Sequence, residues 1–286
     1  MSAIDPFEAA RPRLHSLAYR MLGVVADADD VVQQAWLRWH AADRDGIVNP
    51  DAWLTTATTR LAIDRLRRRR REQAGYVGPW LPEPLVERGP EHAAELADSL
   101  TLGFLIMLER LSPAERAALL LADVFGEPFS VVATTLDRSE AACRQLASRA
   151  RAKCADAAAE VSTSVAGRAQ REVVDRFVAA LASGDEATAL GCLHPDVDLV
   201  SDGGATRRAA RRPIVGRERV LRFLASLSSR AAEGWTVEPA RVGGLPGLVA
   251  VGPGGDVTVV GFDVVDGRIG AVRVVRNPAK LTALTR

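Results

Sequence analysis

Aromatic residues make up only 5% of this 286-residue chain, which also holds just three cysteines and four histidines. Cys143, Cys154 and Cys192 form no CxxC pair, and His15, His40, His92 and His194 are scattered. Spacing therefore offers no metal-ligand cluster and no disulfide framework, and a reduced, cytoplasmic setting fits best. No run approaches the roughly 18 apolar residues needed to cross a bilayer, so no membrane partner is expected. The opening MSAIDPFEAARPR carries acid and no apolar stretch, unlike a secretory signal. Net charge is almost absent too, at +1.

That small sum conceals segregation. Residues 56–72 hold seven Arg (60, 65, 67–71) against Asp64 and Glu72, a local balance of +5. Residues 76–137 swing to −7, and residues 138–153 return five basic residues against Glu140 alone. Two basic segments separated by an acidic one point to two separate contacts with a polyanion.

The spacing of apolar residues predicts helices over residues 5–72. In DADDVVQQAWLRWHAA, Val32, Ala35, Trp36 and Trp39 fall on one stripe, and one of Asp27, Asp29 and Asp30 can cap the start. A second helix runs from about Asp51 through LTTATTRLAIDRLRRRRRE, with Asn49 or Asp51 as its cap. Pro79, Pro82, Pro84 and Pro90 make residues 74–95 a linker rather than a helix. Helix resumes near Ala93; Ser112, Pro113 and Glu115 then mark a fresh helix start. PFSVVATTL, the turn DRS and EAACRQLASRARAKC give a helix–turn–helix within residues 96–156. From 168 to 286 the texture changes to two amphipathic helices and alternating strands. VTVVGFDVV and RIGAVRVVR around Asp266-Gly267 form a two-residue hairpin in a curved antiparallel sheet. The expected architecture is thus multi-domain: two all-α domains at 1–73 and 96–156, then an α+β domain at 168–286.

Five successive Arg, 67–71, cover every side of a helix, an unfavourable arrangement unless a polyanion lies near; a solvated helix end is the plainer alternative. The helix after the DRS turn is more informative. Its small residues Ala141, Ala142 and Ala147 let it seat in a major groove, where Arg144, Gln145 and Ser148 reach base edges. Arg138, Arg149 and Arg151 fit phosphate contacts. A hairpin that only packs is the alternative there.

DADDVVQQAWLRW, NPDAWLTTATTRLAIDRLRRRRRE, LSPAERAALLLADVFGEPFSVVATTL and RSEAACRQLASRARAK resemble, in order, the two domains of extracytoplasmic-function (ECF) sigma factors. The linker GYVGPWLPEPL resembles that of a subgroup with a C-terminal SnoaL-like extension, a cone-shaped NTF-like α+β fold. The resemblance implies a non-enzymatic subunit that binds core RNA polymerase and promoter DNA, with no cofactor. Polymerase contact, on the β′ clamp helices, would fall to Asp29, Asp30, Gln33, Gln34 and Arg38. The −10 element would fall to Asn49, Trp53, Arg60, Asp64, Arg65, Arg67 and Arg68. Asp64 serves equally well as an ion-pair partner of Arg60 or Arg68. The helix–turn–helix would read the −35 element while seated on the β flap, and the linker would run through the RNA-exit region.

Relatives with this extension carry DGGGK and NPDKL motifs. This chain has Asp202-Gly203-Gly204-Ala205-Thr206, lacking the third glycine and the lysine, which Arg207 or Arg208 could replace in charge, and Asn277-Pro278-Ala279-Lys280-Leu281, lacking the aspartate. With Trp80, Leu81, Pro82, Glu83 and Pro84 of the linker, Asp202, Gly203, Gly204, Asn277, Pro278 and Lys280 are the candidate interdomain residues. The extension would modulate sigma activity and could take a small ligand. Its clustered acid–base candidates are His194, Asp196, Asp198 and Asp202, and a turn between helix and strand explains them as well as catalysis does. Arg207–Arg222, seven Arg to one Glu, reads as a solvated face or as a partner of the acidic linker. Two rivals stand beside the sigma reading: a helix–turn–helix regulator that acts without polymerase, and a SnoaL-like enzyme with a DNA-binding module.

Overall fold

The computed structural model describes residues 5–72, 75, 76, 78–87, 102–158, 167–231 and 234–284. The chain divides into two compact units: Met1–Gly75 with Met107–Ala157, and Tyr76–Ile106 with Ala158–Arg286.

The first unit is helical. Helix α1 (Pro6–Leu22) starts where Asp5 accepts from the Phe7 amide and stops at Gly23, whose φ of 66° is the left-handed conformation glycine adopts freely. Helix α2 (Val25–Ala41) turns Ala28, Val31, Val32, Ala35 and Trp39 inward. Its N-cap is Val24, with no side-chain cap. The expected acidic cap is absent because Asp27 is already inside the first turn and accepts from Arg65 instead. Helix α3 (Pro50–Glu72) starts as expected, with Asn49 accepting from the Ala52 amide. Helix α4 (Leu102–Glu109) carries the chain from one unit to the other; the expected start of this helix near Ala93 lies outside the described residues.

Helix α5 (Pro113–Leu119) opens where Ser112, Pro113 and Glu115 predict, and Ser112 and Glu115 close a full capping box there. A π-turn over Leu120–Val124 follows, then α6 (Phe129–Leu136), a turn at Asp137, and α7 (Glu140–Ala158). Cys143, Leu146, Ala147 and Ala150 seat α7 on its neighbours.

The second unit combines α8 (Arg168–Ser183), α9 (Glu186–Cys192) and α10 (Arg217–Ala231) with a seven-stranded sheet in the order β1-β4-β5-β6-β7-β2-β3. The strands are β1 (Val86–Glu87), β2 (Leu193–Asp202), β3 (Ile214–Val215), β4 (Thr236–Val242), β5 (Leu245–Val251), β6 (Val257–Val265) and β7 (Arg268–Val275). Asp266 and Gly267, at φ 51° and 71°, make the hairpin turn between β6 and β7. The sheet is mixed rather than wholly antiparallel, because β2 pairs parallel to β7.

Strand β6 shows why this unit reads as strongly apolar. Val260, Phe262 and Val264 pack with Phe177, Val220 and Leu224 of the helices. Val257 and Val259 point the other way, into a cluster with Leu81, Leu102, Val242 and Leu281. Period-two alternation thus buries both faces of one strand. The second face is covered in part by the proline-rich linker, whose β1 adds itself antiparallel to the end of β4.

Candidate polymerase and nucleic-acid interfaces

Asp29, Asp30, Gln33, Gln34 and Arg38 are exposed along one side of α2, opposite its buried stripe. Leu37, 54% exposed, lies among them. Sequence reasoning passed it over, although an apolar residue on the face opposite the buried stripe is the signal that finds it. Trp36 is half-buried against His40, with ring centroids 4.1 Å apart, while Trp39 is fully in the core.

The α3 residues fall into two groups. Asn49 caps the helix, and the Trp53 ring sits 5.6 Å from that of Trp39. Arg60, Asp64, Arg67 and Arg68 are exposed. Asp64 pairs with Arg67 at 3.3 Å, rather than with Arg60 or Arg68. Arg65 is turned inward: it donates twice to Asp27, at 2.6 and 2.9 Å. The arginine run is divided in the same way. Arg69 is buried beside Glu109, and burial pulls its pKa down to about 10 against the attraction of that carboxylate. Arg70 donates to the Leu111 carbonyl. Three of the five successive arginines, Arg67, Arg69 and Arg70, therefore have protein partners, which removes much of the like-charge cost.

On α7, Arg144, Gln145, Ser148, Arg149 and Arg151 are exposed, as is Arg138 in the preceding turn. Arg144 pairs with Glu140 at 2.7 Å and lies over the Phe129 ring, while Arg151 is bound bidentately by Asp123. Within this unit the two basic surfaces meet. Arg60 donates to the carbonyls of Thr134 and Thr135 at 2.7 and 2.9 Å, and the hydroxyls of Thr56 and Thr135 lie 2.9 Å apart. Arg60, Asp64, Arg67 and Arg138 line a cleft of about 240 Å³ at this junction. Arg13 adds bonds to Glu127 and Thr55.

In the second unit, Asp202 is fully buried at the end of β2 and gathers the linker around it. It accepts from the Tyr76 hydroxyl, the Leu81 amide at 2.9 Å and the Gly204 amide at 3.0 Å, and pairs with Lys280 at 2.6 Å. Lys280 also donates to the Leu81 carbonyl and lies 3.9 Å from the Trp80 ring centre. Asn277 donates to the Tyr76 hydroxyl at 2.8 Å. Burial, then the Asp202 carboxylate, push the Tyr76 phenol well above its ordinary pKa. The cation on Asp202 is thus Lys280, not Arg207 or Arg208; Arg207 is held by Asp256. Pro82, Glu83 and Pro84 are buried, Gly203 is closed in, and Pro278 opens the short turn before Lys280. Further along, the Gly243 amide donates to the Leu85 carbonyl while the Gly243 carbonyl accepts from the Leu102 amide.

The acid–base candidates do not converge. Asp198 pairs with Arg273 at 2.5 Å, Asp202 belongs to the linker cluster, and the His194 ring accepts from the Asp196 amide. None of them lines the apolar cavity of about 220 Å³ enclosed by Phe177, Leu181, Leu224, Leu248, Val260 and Phe262. Cys143 and Cys154 have thiols pushed up by burial, the opposite of an activated nucleophile.

The Sigma-70 region 2 family model matches residues 7–72 and the Sigma-70, region 4 model matches residues 104–154. The ECF RNA polymerase sigma factor SigJ of Mycobacterium tuberculosis is 40% identical, over 98% of this chain and 93% of SigJ. The probable ECF sigma factor SigI of the same organism is 32% identical over 99% and 98%. The crystal structure of SigJ matches with a TM-score of 0.78 at 38% identity, covering 96% of this chain and 97% of that one. Full-length identity of this order, with both sigma regions in sequence and a SnoaL-like α+β extension behind them, places the chain in the family of ECF RNA polymerase sigma factors.

Proposed function

We propose that the chain recruits core RNA polymerase to promoters in the cytoplasm and that its extension limits how far the two DNA-reading regions can separate. The observation that carries the second part is the pair of backbone hydrogen bonds at Gly243. Leu85 and Leu102 both attach to that one residue, while Tyr76 and Leu81 are fastened to Asp202. Free, residues 73–106 extend to at most about 115 Å. The −35 and −10 elements lie about 25 base pairs, or roughly 85 Å, apart at 3.4 Å per step. A linker folded back at Gly243 cannot supply that span, so the clamped state disfavours promoter engagement. The closed packing of α3 against the helix–turn–helix agrees, because Arg60 is occupied by α6 carbonyls.

In the open state, the exposed side of α2 meets the β′ clamp helices and the helix–turn–helix rests on the β flap. Arg60, Arg67 and Arg68 track the −10 strand beside Asn49, Trp53 and Asp64, while Arg65 positions α3 through Asp27. Arg144, Gln145 and Ser148 read the −35 element, and Arg138, Arg149 and Arg151 hold phosphates. The extension acts by binding rather than chemistry, since its acid–base groups lie outside the cavity walls. An apolar small molecule is the ligand those walls suit.

The test is binding to sigma-free core polymerase, followed by run-off transcription, with and without residues 168–286. The proposal expects both forms to bind and the shortened form to transcribe more. Failure of both to bind at low salt leaves a regulator that works without polymerase. Equal transcription by the two forms refutes the role given to the extension.

A further inference from the structure

The basic stretch Arg207–Arg222 does not enter the sigma function, yet the structure builds it with care. Gly203 and Gly204 start the loop after β2 in a turn closed by the Arg207 amide on the Gly203 carbonyl, at 3.0 Å. A side chain at Gly203 would come within 2.4 Å of the Arg207 carbonyl oxygen, and Gly204 sits at φ 60°. Two arginines then fasten the loop, one from within it and one from outside. Arg207 reaches across to Asp256, and Arg276 donates to the Arg208 carbonyl at 2.9 Å. With the backbone fixed in this way, Arg208, Arg211 and Arg212 are exposed and have no ion-pair partner among the described residues. Arg219 and Arg222 extend the positive charge onto exposed positions of α10, where Glu218 is taken by Arg217.

The loop is concave as well as basic. Gly78, Gly204, Ala205, Thr206 and Ala209 leave open a hollow of about 400 Å³, which Arg207, Arg208 and Arg211 flank and no carboxylate lines. Small residues bring the backbone within reach of a bulky anion, and a loop backbone already held in place lowers the ordering cost of presenting its guanidiniums to phosphodiesters. A hollow suited to a sugar–phosphate unit, leading to further unpaired arginines, is the pattern of a track along a nucleic-acid strand.

We infer that this loop is a further nucleic-acid contact, which takes the phosphodiester backbone of a single strand independently of its sequence. Its affinity rests on phosphate neutralisation and therefore on salt. For single strands, each lost contact reduces the slope of log K against log salt by about 0.7.

The experiment uses the full chain and a fluorescein-labelled single strand of mixed sequence, with anisotropy followed from about 50 to 200 mM salt. Arg208→Gln with Arg211→Gln is compared with Arg171→Gln plus Arg268→Gln, which removes equal charge from exposed positions elsewhere in the same unit. The first pair should lower the slope by about 1.4 and weaken binding about 10- to 30-fold at 100 mM salt, while the second changes it less than about threefold. Equal effects from the two pairs overturn the inference, because only net charge would then matter. So does an unchanged slope, and so does loss of core-polymerase affinity with strand binding intact, which would make the loop a protein-docking surface.

Discussion

Replacing Lys280 by Met tests the linker clamp at its centre. The ammonium is 5% exposed, pairs with a carboxylate that is fully buried, donates to the Leu81 carbonyl and rests on the Trp80 ring. Breaking a buried pair by removing one partner costs roughly 3–5 kcal/mol, since the other charge stays behind without compensation. Asp202 keeps three neutral donors, from Tyr76, Leu81 and Gly204, which places the charge term at the lower end. Losing the ring contact adds about 1 kcal/mol, giving about 4 kcal/mol in all. Met retains most of the apolar volume, so a cavity contributes little. At 1.4 kcal/mol per factor of ten, the linker should open nearly a thousandfold more often. Hydrogen exchange at the Leu81 amide, which donates to Asp202, reads that opening directly. Adding Asp202→Asn removes the stranded charge and should restore a large part of the protection. The reasoning fails if Leu81 protection falls less than tenfold in Lys280→Met, or if the double variant is no better protected than the single one.

Four further outcomes follow from the same geometry. Burial works to raise the Glu115 carboxyl, but Lys153 and Ser112 outweigh it and hold the pKa at about 2 against an ordinary 4.5. Its folded pKa is depressed, so its contribution is complete above about pH 4.5 and is lost as pH falls towards 2; Glu115→Gln should flatten that acid limb by about 2–3 kcal/mol in chemical unfolding. Thr56→Val deprives the buried Thr135 hydroxyl of its partner, and the closed state should weaken by about 1 kcal/mol, seen as roughly fivefold tighter core-polymerase binding. Gly204→Ala combines φ 60° with a Cβ 2.7 Å from the Asn277 amide group, and should cost about 2–3 kcal/mol by urea unfolding. Asp123→Asn with Glu140→Gln releases Arg151 and Arg144, and should steepen the salt slope of duplex binding by about 1.8.

Local signals in the sequence translated well wherever neighbouring residues decide the outcome. The helix start at Ser112, the Asn49 cap and the Asp266-Gly267 turn rest on contacts over two to four positions, and the structure has all three. The Val24 start of α2 departed from expectation because Asp27 answers to Arg65, thirty-eight positions away. The same limit governed the arginine run: nothing near Arg69 in sequence announces that Glu109 awaits it. The resemblance brought Trp80, Leu81, Asp202, Asn277 and Lys280 together as candidates, but distance in sequence hid Tyr76 and the pairing of Lys280 with Asp202. Tyr76, Asp202 and Lys280 come from three separate segments, so the missing lysine of the first motif gave no hint that Lys280 supplies the charge. Strand β1 was legible only as a proline-rich extended stretch, because two residues that complete another domain's sheet carry no periodicity of their own.

Three of the arginines assigned to DNA in the proposed open state already have protein acceptors in the closed one. Arg144 and Arg151 are held by carboxylates, and Arg60 by the carbonyls of α6. Each must give up that partner to reach DNA. An arginine that leaves a surface carboxylate for a phosphate gains little net energy, since such pairs are worth about 1 kcal/mol or less in water. The carboxylate it leaves also regains its own counterion, so the exchange releases fewer ions than the count of arginines suggests. Arg60 differs, because its partners are backbone carbonyls of α6, so its bonds help to hold α3 against α6. If Arg60 engages the −10 strand as proposed, it gives up bonds that favour the closed helical unit, and their energy is subtracted from promoter affinity. Contacts that oppose DNA binding in the closed unit also set how strongly polymerase must favour the open one.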